Sequence, residues 1–264
     1  MDNDDLPVGR LLSRREALRV LGGISFVPLA GSAARPDSPR GDASSLWIAP
    51  ERTSRSVAAR SAALGQQMCV VRPAQTLGPY YVDHLLDRND IRTDPPGSEM
   101  TPGIPLELTM NVSRIAGSEC IPYEGAIVDL WQCDAAGIYS GVNDPRFNTV
   151  GQRWLRGFQA ADARGQVHFT TIYPGWYRGR TVHIHFKVRT GTEAGAREFV
   201  SQLYFDDSFT DRVFARAPYS AQAGQRARNE GDNIFRNSGG SQLMLDVAEA
   251  GEGFRATFNL GVQI

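Results

Sequence analysis

The sequence lacks a large net charge, internal repeats and a Gly-rich phosphate-binding loop, and these absences narrow its class. The 28 Lys and Arg residues nearly balance the 29 Asp and Glu residues, so the formal net charge is −1. That balance gives no electrostatic reason to expect a nucleic-acid or anionic-membrane partner. With 41% apolar residues over 264 positions, the chain is long enough for one substantial core, which predicts one globular domain behind a leader.

A long apolar run is also missing, because the stretch at residues 20–30 is too short to span a bilayer as a helix. Arginines precede it and the small residues 31–34 follow it, which is the pattern of a signal peptide. The pair Arg14-Arg15 resembles a twin-arginine export signal, although Ala17 stands where Phe is usual. The alternative is a basic N-terminal helix. We therefore expect export, periplasmic or extracellular, by the twin-arginine pathway.

The chain is predicted to have three parts. The segment after the leader is rich in Arg, Ala and Ser and poor in large apolar groups, which is typical of a linker that is mostly disordered or forms a short helix. The predicted boundaries are 1–34 for the signal peptide, 35–66 for the linker and 67–264 for the globular domain.

Cysteine is scarce, with three residues in the whole chain. In the oxidising compartment that export implies, the simplest arrangement is one disulfide with one cysteine left over. We expect Cys69 to pair with Cys120, because both precede the main motifs and lie at segment edges. Cys133 is then expected to be a small buried apolar side chain rather than a reactive thiol.

Short apolar stretches separated by Gly, Pro, Asn and Asp dominate the chain from residue 106 onward. Turn signals lie between them, and together they predict an all-β fold, an antiparallel β-sandwich with few short helices. Two segments, 207–217 and 221–230, have the caps and interiors of helices. The predicted strands are 106–112, 126–132, 167–172, 181–188, 199–205, 242–247 and 254–260.

The strongest local signal is the segment 175–188, which contains His183 and His185. Successive side chains of a strand point to opposite faces, so the two imidazoles share one face while Ile184 and Phe186 share the apolar face. This arrangement presents two nitrogen ligands together on a rigid element. The pair alone is compatible with zinc, copper, nickel or iron, and also with two histidines on a polar sheet face.

Two tyrosines narrow the choice of metal. Tyr177 lies six residues before His183, and Tyr139 follows a predicted strand, so both are able to reach the histidines. A phenol normally loses its proton near a pH of about 10, so a phenolate at neutral pH needs a strong Lewis acid. Two phenolates and two neutral imidazoles suit the charge and hardness of Fe(III) better than those of Zn(II). Taken singly, each tyrosine is also compatible with a strand aromatic whose hydroxyl reaches the surface.

Several short blocks follow one another between residue 69 and the C-terminus. They are Gly78-Pro-Tyr-Tyr81, Glu124-Gly-Ala-Ile-Val-Asp-Leu-Trp131, Gly137-Ile-Tyr139, Arg156-Gly-Phe158, Tyr173-Pro-Gly-Trp-Tyr177 and Arg180-Thr-Val-His-Ile-His-Phe186. In this order they resemble the intradiol dioxygenases, the family of catechol 1,2- and protocatechuate 3,4-dioxygenases, and especially its exported branch. Two features depart from the family: Thr-Val stands where Pro-Ala is familiar, and the helical N-terminal dimerisation region has no counterpart. The second leaves the usual dimer mode, and any homo-oligomer, open.

The resemblance implies an enzyme that opens catechol-type rings between the two hydroxylated carbons with O2, giving muconate-type diacids. It implies one non-haem Fe(III) and no organic cofactor, with Tyr177 leaving the metal to take a substrate proton. Arg180 matches the family arginine that supports substrate and developing negative charge, and Gln202 matches a polar active-site residue. A surface salt bridge and an ordinary strand amide are the respective alternatives. The implied metal ligands are Tyr139 and His183 as the equatorial pair and Tyr177 and His185 as the axial pair.

Two functions of other classes stay open beside this one. The first is an exported zinc metallohydrolase that uses the two histidines with a tyrosine as proton donor. The second is a non-catalytic sandwich that binds ligands or carbohydrate. His84 and His168 are expected to be structural or exposed. Tyr80 and Tyr81 are expected either to wall the pocket or to serve packing alone.

Overall fold

The computed structural model describes residues 70–94, 98–117 and 119–264. The predicted signal peptide, the predicted linker and Cys69 lie outside these residues. Within the part described, no helix is long and apolar enough to cross a membrane.

β-Strands are the main secondary structure of the described chain, which confirms the all-β prediction. Two sheets enclose one continuous apolar core, as a sandwich requires. The strands are β1 (Pro105–Ala116), β2 (Glu119–Pro122), β3 (Ile127–Trp131), β4 (Asn143–Asp144), β5 (Phe147–Asn148), β6 (Arg156–Ala160), β7 (Gln166–Ile172), β8 (His183–Arg189), β9 (Glu198–Tyr204), β10 (Asp246–Ala250) and β11 (Gly253–Val262).

The first sheet has the order β10-β11-β1-β2, with β7 also paired to β1. Its pairs are antiparallel except β1 with β11, which come from opposite ends of the domain and run parallel. The second sheet has the order β6-β3-β8-β9 and is antiparallel throughout. The short strands β4 and β5 form a separate hairpin.

The central strand β8 is buried on both faces, and this decides where the site lies. Ile184 and Phe186 point into the core between the sheets, as the alternation of the sequence predicted. His183 and His185 point to the opposite face and are also buried, at 2% and 1% exposure. A polar face that is closed to water in this way requires partners for its nitrogens.

Phe186 links the two sheets across the core. It is fully buried, and its ring centroid lies 5.9 Å from that of Phe258 in the first sheet. We expect Phe186→Ala to lower the free energy of unfolding by about 3–5 kcal/mol, because it leaves a cavity as well as losing buried apolar area. Urea denaturation measures this, with the 67% exposed Val150, changed to Ala, as the control. A loss no larger than that of the control would contradict this packing.

The first predicted helix is present and the structure adds a second. Segment 207–217 forms α1 (Asp207–Phe214), and the Asp206 side chain caps it by accepting from the backbone N–H of Phe209. The helix α2 (Asn233–Asn237) begins at Asp232, whose side chain accepts from two backbone N–H groups of the first turn. Its five residues are too few to give a periodic signal in the sequence.

The predicted helix at 221–230 is wrong. The segment holds only two short 3-10 turns, Tyr219–Ala221 and Asn229–Gly231, with non-helical chain between them. Gly224 has φ +105°, which is incompatible with an α-helix. Arg226 is tied by hydrogen bonds to side chains and backbone of α1. These tertiary contacts override the local helix propensity.

The predicted strand at 242–247 is largely wrong, because Gly240–Leu243 forms a 3-10 helix and β10 begins only at Asp246. Strands β2 and β6 and the β4–β5 hairpin were not predicted from the sequence. Residues 156–160 of β6 contain Arg, Gly and Gln, so they lack both an alternating and a continuous apolar pattern.

The cysteines agree with the expected chemistry where they are described. Cys120 is disulfide-bonded, and its expected partner Cys69 lies outside the described residues. Cys133 is a free, buried cysteine, as predicted. Burial raises its pKa well above the usual value, which keeps the thiol protonated and unreactive.

Candidate metal centre

The two histidines of β8 turn their Nε2 atoms toward each other. His183 Nδ1 lies 2.6 Å from the backbone carbonyl of Thr181, and since a carbonyl only accepts, Nδ1 carries the proton. The lone pair of His183 is therefore on Nε2, which lies 3.1 Å from Nε2 of His185. Two buried imidazole nitrogens at this distance need a shared proton or a shared cation between them.

Tyr139 reaches this pair from the loop after β3. The Asp134 side chain fixes the loop by accepting from the backbone N–H groups of Ala136 and Ile138, both at 2.9 Å. Gly137 has φ +81°, and a Cβ there would lie 2.0 Å from the carbonyl oxygen of Trp176, so only glycine fits. The loop thus places the Tyr139 hydroxyl 3.4 Å from His183 Nε2.

Tyr177 closes the cluster from the segment before β8. Its ring centroid lies 5.6 Å from those of both Tyr139 and His183. Its hydroxyl accepts from Nη1 of Arg180 at 3.4 Å. The four side chains that the sequence predicted as ligands are therefore brought into one buried cluster.

Burial sets the electrostatics of the cluster. It lowers the pKa of His183 to about 3 and that of His185 well below the usual value, so both imidazoles are neutral at neutral pH. It raises the pKa of the Tyr139 phenol well above the usual value, against the opposing charges of Arg180 and Arg156. Neutral imidazole nitrogens and a phenol that ionises only beside a cation are donors that suit a metal ion.

The tyrosines decide whether a metal fits. In the described chain, no three His, Cys, Asp or Glu side chains gather as a metal site. A metal at this cluster therefore depends on phenol oxygens beside the two imidazoles. The convergence of Tyr139 and Tyr177 on His183 supplies those oxygens.

Arg180 and Gln202 form a buried network beside the cluster. Arg180 Nε donates to Asp232 at 2.8 Å, and Arg180 Nη2 donates to the Gln202 side-chain oxygen at 2.5 Å. Tyr204 donates to the same oxygen at 3.0 Å. Burial opposes the charge of Arg180, but Tyr177 and Asp232 outweigh it, and its pKa is raised. The alternative of a surface salt bridge at Arg180 is wrong, because its salt bridge with Asp232 is buried and Arg180 is only 6% exposed.

Asp232 is the functional neighbour that the sequence did not reveal. It lies at the start of α2, far along the chain from the histidines, and is fully buried. Its side chain accepts from Arg180, from the backbone N–H of Thr181 and from the first turn of α2. A single Asp before a short helix carries no sequence signal beyond an N-cap.

We expect Asp232→Asn to lower the free energy of unfolding by about 3–5 kcal/mol, because it leaves the buried Arg180 charge without its counter-ion. Turnover is also expected to fall, since Arg180 loses the contact that orients it. Guanidinium denaturation and steady-state kinetics measure the two effects. Asp246→Asn, on an exposed residue, is the control. Equal stabilities of the two variants would show that the Arg180–Asp232 pair contributes nothing.

Aromatic side chains wall the cluster. Tyr80 stacks on Tyr139 at 4.6 Å and meets Tyr177 edge-on at 5.5 Å, so it belongs to the pocket wall. Trp131 stacks flat on His185, with centroids 4.9 Å apart and planes inclined by 9°. The backbone at Gly78, with φ +73°, passes so close to the His185 ring that a Cβ on this residue would lie 2.9 Å from His185 Cε1. The Gly-Pro-Tyr-Tyr segment therefore covers one side of the cluster.

The remaining histidines stand apart from it. His168 is exposed on the first sheet, where its Nδ1 lies 3.0 Å from the Thr109 hydroxyl. His84 is half-buried and lies near Arg156 and Gly141. Both placements agree with the prediction that these two histidines are structural or exposed.

The fold and this cluster define a class of protein, a β-sandwich enzyme whose buried centre combines tyrosine and histidine side chains. A family model described as Dioxygenase matches residues 76–233, which contain all of the predicted site residues. The chain belongs to the intradiol ring-cleavage dioxygenase family. It is an oxidoreductase that cleaves catechol-type rings between the two hydroxylated carbons with O2, and the zinc-hydrolase and non-catalytic alternatives are set aside.

Similar proteins support this assignment. The protocatechuate 3,4-dioxygenase beta chain of Burkholderia cepacia is 29% identical over 205 residues, which cover 75% of this chain and 77% of the relative. An intradiol ring-cleavage dioxygenase from Tetranychus urticae superposes with a TM-score of 0.64 at 29% identity, over 74% of this chain and 95% of that one. The dioxygenase domain of a carbohydrate-binding fusion protein from Streptomyces sp. SirexAA-E gives a TM-score of 0.52 at 27% identity, over 74% and 99%. The resemblance stated from the sequence is confirmed.

Proposed function

We propose that this dioxygenase works with one non-haem Fe(III) held by Tyr139, Tyr177, His183 and His185. The observation that carries the proposal is the approach of the Tyr139 hydroxyl and of His185 Nε2 to His183 Nε2, at 3.4 and 3.1 Å. Two phenolates offset two of the three charges of the ion, and the two neutral imidazoles complete the protein ligands. A bound ferric ion supplies Lewis-acid chemistry, which ionises phenols and draws electron density from a chelated diol.

Tyr177 is proposed as the group that takes a proton from the substrate. Its hydroxyl is beside the Arg180 guanidinium, whose positive charge favours the phenolate before the proton arrives. A catechol loses two protons when both of its oxygens bind a metal. A phenolate at Tyr177 Oη would accept one of them, and a hydroxide from solvent would accept the other.

Arg180 is proposed to stabilise negative charge that develops on the substrate. Its Nε and Nη2 groups are taken by Asp232 and Gln202, which fixes the plane of the guanidinium. Gln202 is itself held by Thr76 and Tyr204, so it acts as a positioning residue. A preorganised charge of this kind stabilises a transition state without reorganising during the reaction.

The substrates are proposed to be a small catechol-type diol and O2. Catechol and O2 together contain all the atoms of the muconate diacid, so no further reductant enters the reaction. Oxygen uptake by iron-loaded protein on a panel of catechol, protocatechuate and hydroxylated catechols tests this. We expect uptake together with a ring-opened diacid for at least one diol. Failure of the protein to retain iron, with no uptake on any diol, would overturn the proposal.

We also propose that the protein is exported by the twin-arginine pathway. The Arg14-Arg15 pair ahead of a short apolar stretch supports this, and so does the disulfide at Cys120, since disulfides persist in oxidising compartments. Replacing both arginines by lysine is expected to keep the protein in the cytoplasm of a bacterial host that has this pathway. Cell fractionation measures it, and unchanged export of that variant would contradict the proposal.

A further inference from the structure

A small cavity lies behind the Trp131 side of the site. It has a volume of about 20 Å³, enough for one small solute. Four buried side-chain atoms of the residues that line it lack a hydrogen bond of normal geometry among the described residues, although Tyr81 also interacts with Lys187. They are Tyr81 Oη, His84 Nε2, Trp131 Nε1 and Arg156 Nη1. Buried polar atoms are nearly always paired, so four of them at one small cavity indicate a bound species.

Arg156 brings to this cavity a positive charge that is not paired with a carboxylate. The residue is 3% exposed, and its Nε and Nη2 atoms donate only to the carbonyl and hydroxyl of Ser140. No carboxylate pairs with it in the part of the chain described. A buried charge without a counter-ion is costly. Burial lowers the pKa of Arg156 to about 10, so it still carries its charge at neutral pH.

The hydrogen-bonding capacity of the walls is compatible with an anion. Arginine and indole N–H groups only donate, the Tyr81 hydroxyl is able to donate, and His84 Nε2 donates in one of its two neutral tautomers, so a monatomic anion accepts from all four. One water would also satisfy them, by accepting from Arg156 and Trp131 and donating to Tyr81 and His84, so it is the buried charge of Arg156 that favours an anion. The carboxylate of Asp129 also lines the cavity, but it already accepts from Arg189 at 2.7 and 2.8 Å.

We propose that this cavity is a binding site for a single halide ion, chloride under natural conditions, held by Arg156, Trp131, Tyr81 and His84. Leu85, which is 55% exposed, also lines the cavity, so the cavity lies near the protein surface. Trp131 stacks on His185 and pairs with Arg156 across β3 and β6. The halide therefore fixes the indole that backs His185. None of the four groups is a proposed iron ligand, so the halide site and the iron centre are tested independently of each other.

Crystals of the full protein grown with bromide test the site directly. We expect an anomalous peak at the bromine edge in the cavity, within hydrogen-bond distance of Arg156 Nη1 and Trp131 Nε1. A fully occupied water there, or no anomalous peak in the cavity, would overturn the proposal.

Thermal unfolding gives an independent test in solution. At constant ionic strength, with gluconate replaced by chloride, the melting temperature is expected to rise with chloride concentration, because the ion binds only the folded state. Tyr81→Phe removes one donor and keeps the ring, so it is expected to weaken the apparent chloride affinity by about 2- to 10-fold. Arg156→Gln is expected to abolish the dependence.

The matched control is Tyr123→Phe, which removes the hydroxyl of a half-buried tyrosine outside this cavity. It is expected to keep the chloride dependence of the wild type. If Arg156→Gln does not fold, the difference in chloride dependence between Tyr81→Phe and Tyr123→Phe tests the halide site. Identical chloride dependence in these two variants, or none in the wild type, would refute the halide site.

Discussion

His185→Ala is expected to purify without iron and without ring-cleaving activity. His185 is 1% exposed and lies on the central strand, so no nearby solvent-exposed group is able to replace its nitrogen. Loss of an outer-shell partner alone typically weakens metal binding by about 10- to 100-fold, so loss of a direct ligand is expected to exceed about 100-fold. Metal analysis and oxygen uptake with a diol are the measurements.

The exposed His168, changed to Ala, is the matched control for that experiment. It also removes an imidazole from a strand, but one that faces solvent on the other sheet. It is expected to keep wild-type iron content and activity. Retention of stoichiometric iron by His185→Ala would remove His185 from the ligand set.

Tyr139→Phe is expected to change the colour of the protein as well as its activity. With iron bound, the wild type is expected to be red to burgundy, because phenolate-to-iron charge transfer absorbs visible light. Removing the Tyr139 oxygen deletes one of two phenolates, so the band is expected to shift or bleach and turnover to fall by more than about 100-fold, again exceeding an outer-shell loss. Visible absorption spectra and oxygen uptake measure the two effects.

Tyr123→Phe serves as the spectral control, since Tyr123 is outside the cluster of Tyr139 and its neighbours. Its band is expected to match that of the wild type. The same band in Tyr139→Phe as in the wild type would show that Tyr139 is not a ligand, whatever its distance from His183.

The elements whose sequence alternates with period two were predicted well. Strand β8 shows why, because one of its faces is apolar and the other carries His183 and His185. A register shift of one residue would turn the histidines into the apolar core and the apolar side chains out of it. Strands β1, β7, β9 and β11 also lie close to their predicted ranges. The segments that were predicted wrongly depend on contacts with residues far away in the sequence. Segment 222–228 is held in a non-helical form by α1 and by Gly224, and no local pattern records this.

The site was predictable to the extent that its residues belong to short blocks. The His-x-His strand and the two tyrosines contain chemistry that is recognisable before folding, and the structure gathers them. What the sequence did not reveal is what supports them. Asp232 reaches Arg180 from a remote helix start, and Arg156 meets Trp131 only through the pairing of β3 with β6. Such contacts follow from topology rather than from spacing along the chain.

The most direct test of the whole account is anomalous scattering at the iron edge from crystals of the iron-loaded protein. We expect one iron peak per chain, bonded to the oxygens of Tyr139 and Tyr177 and to the Nε2 atoms of His183 and His185. An iron ion bound elsewhere, or a peak that lacks either tyrosine oxygen, would contradict the proposed centre.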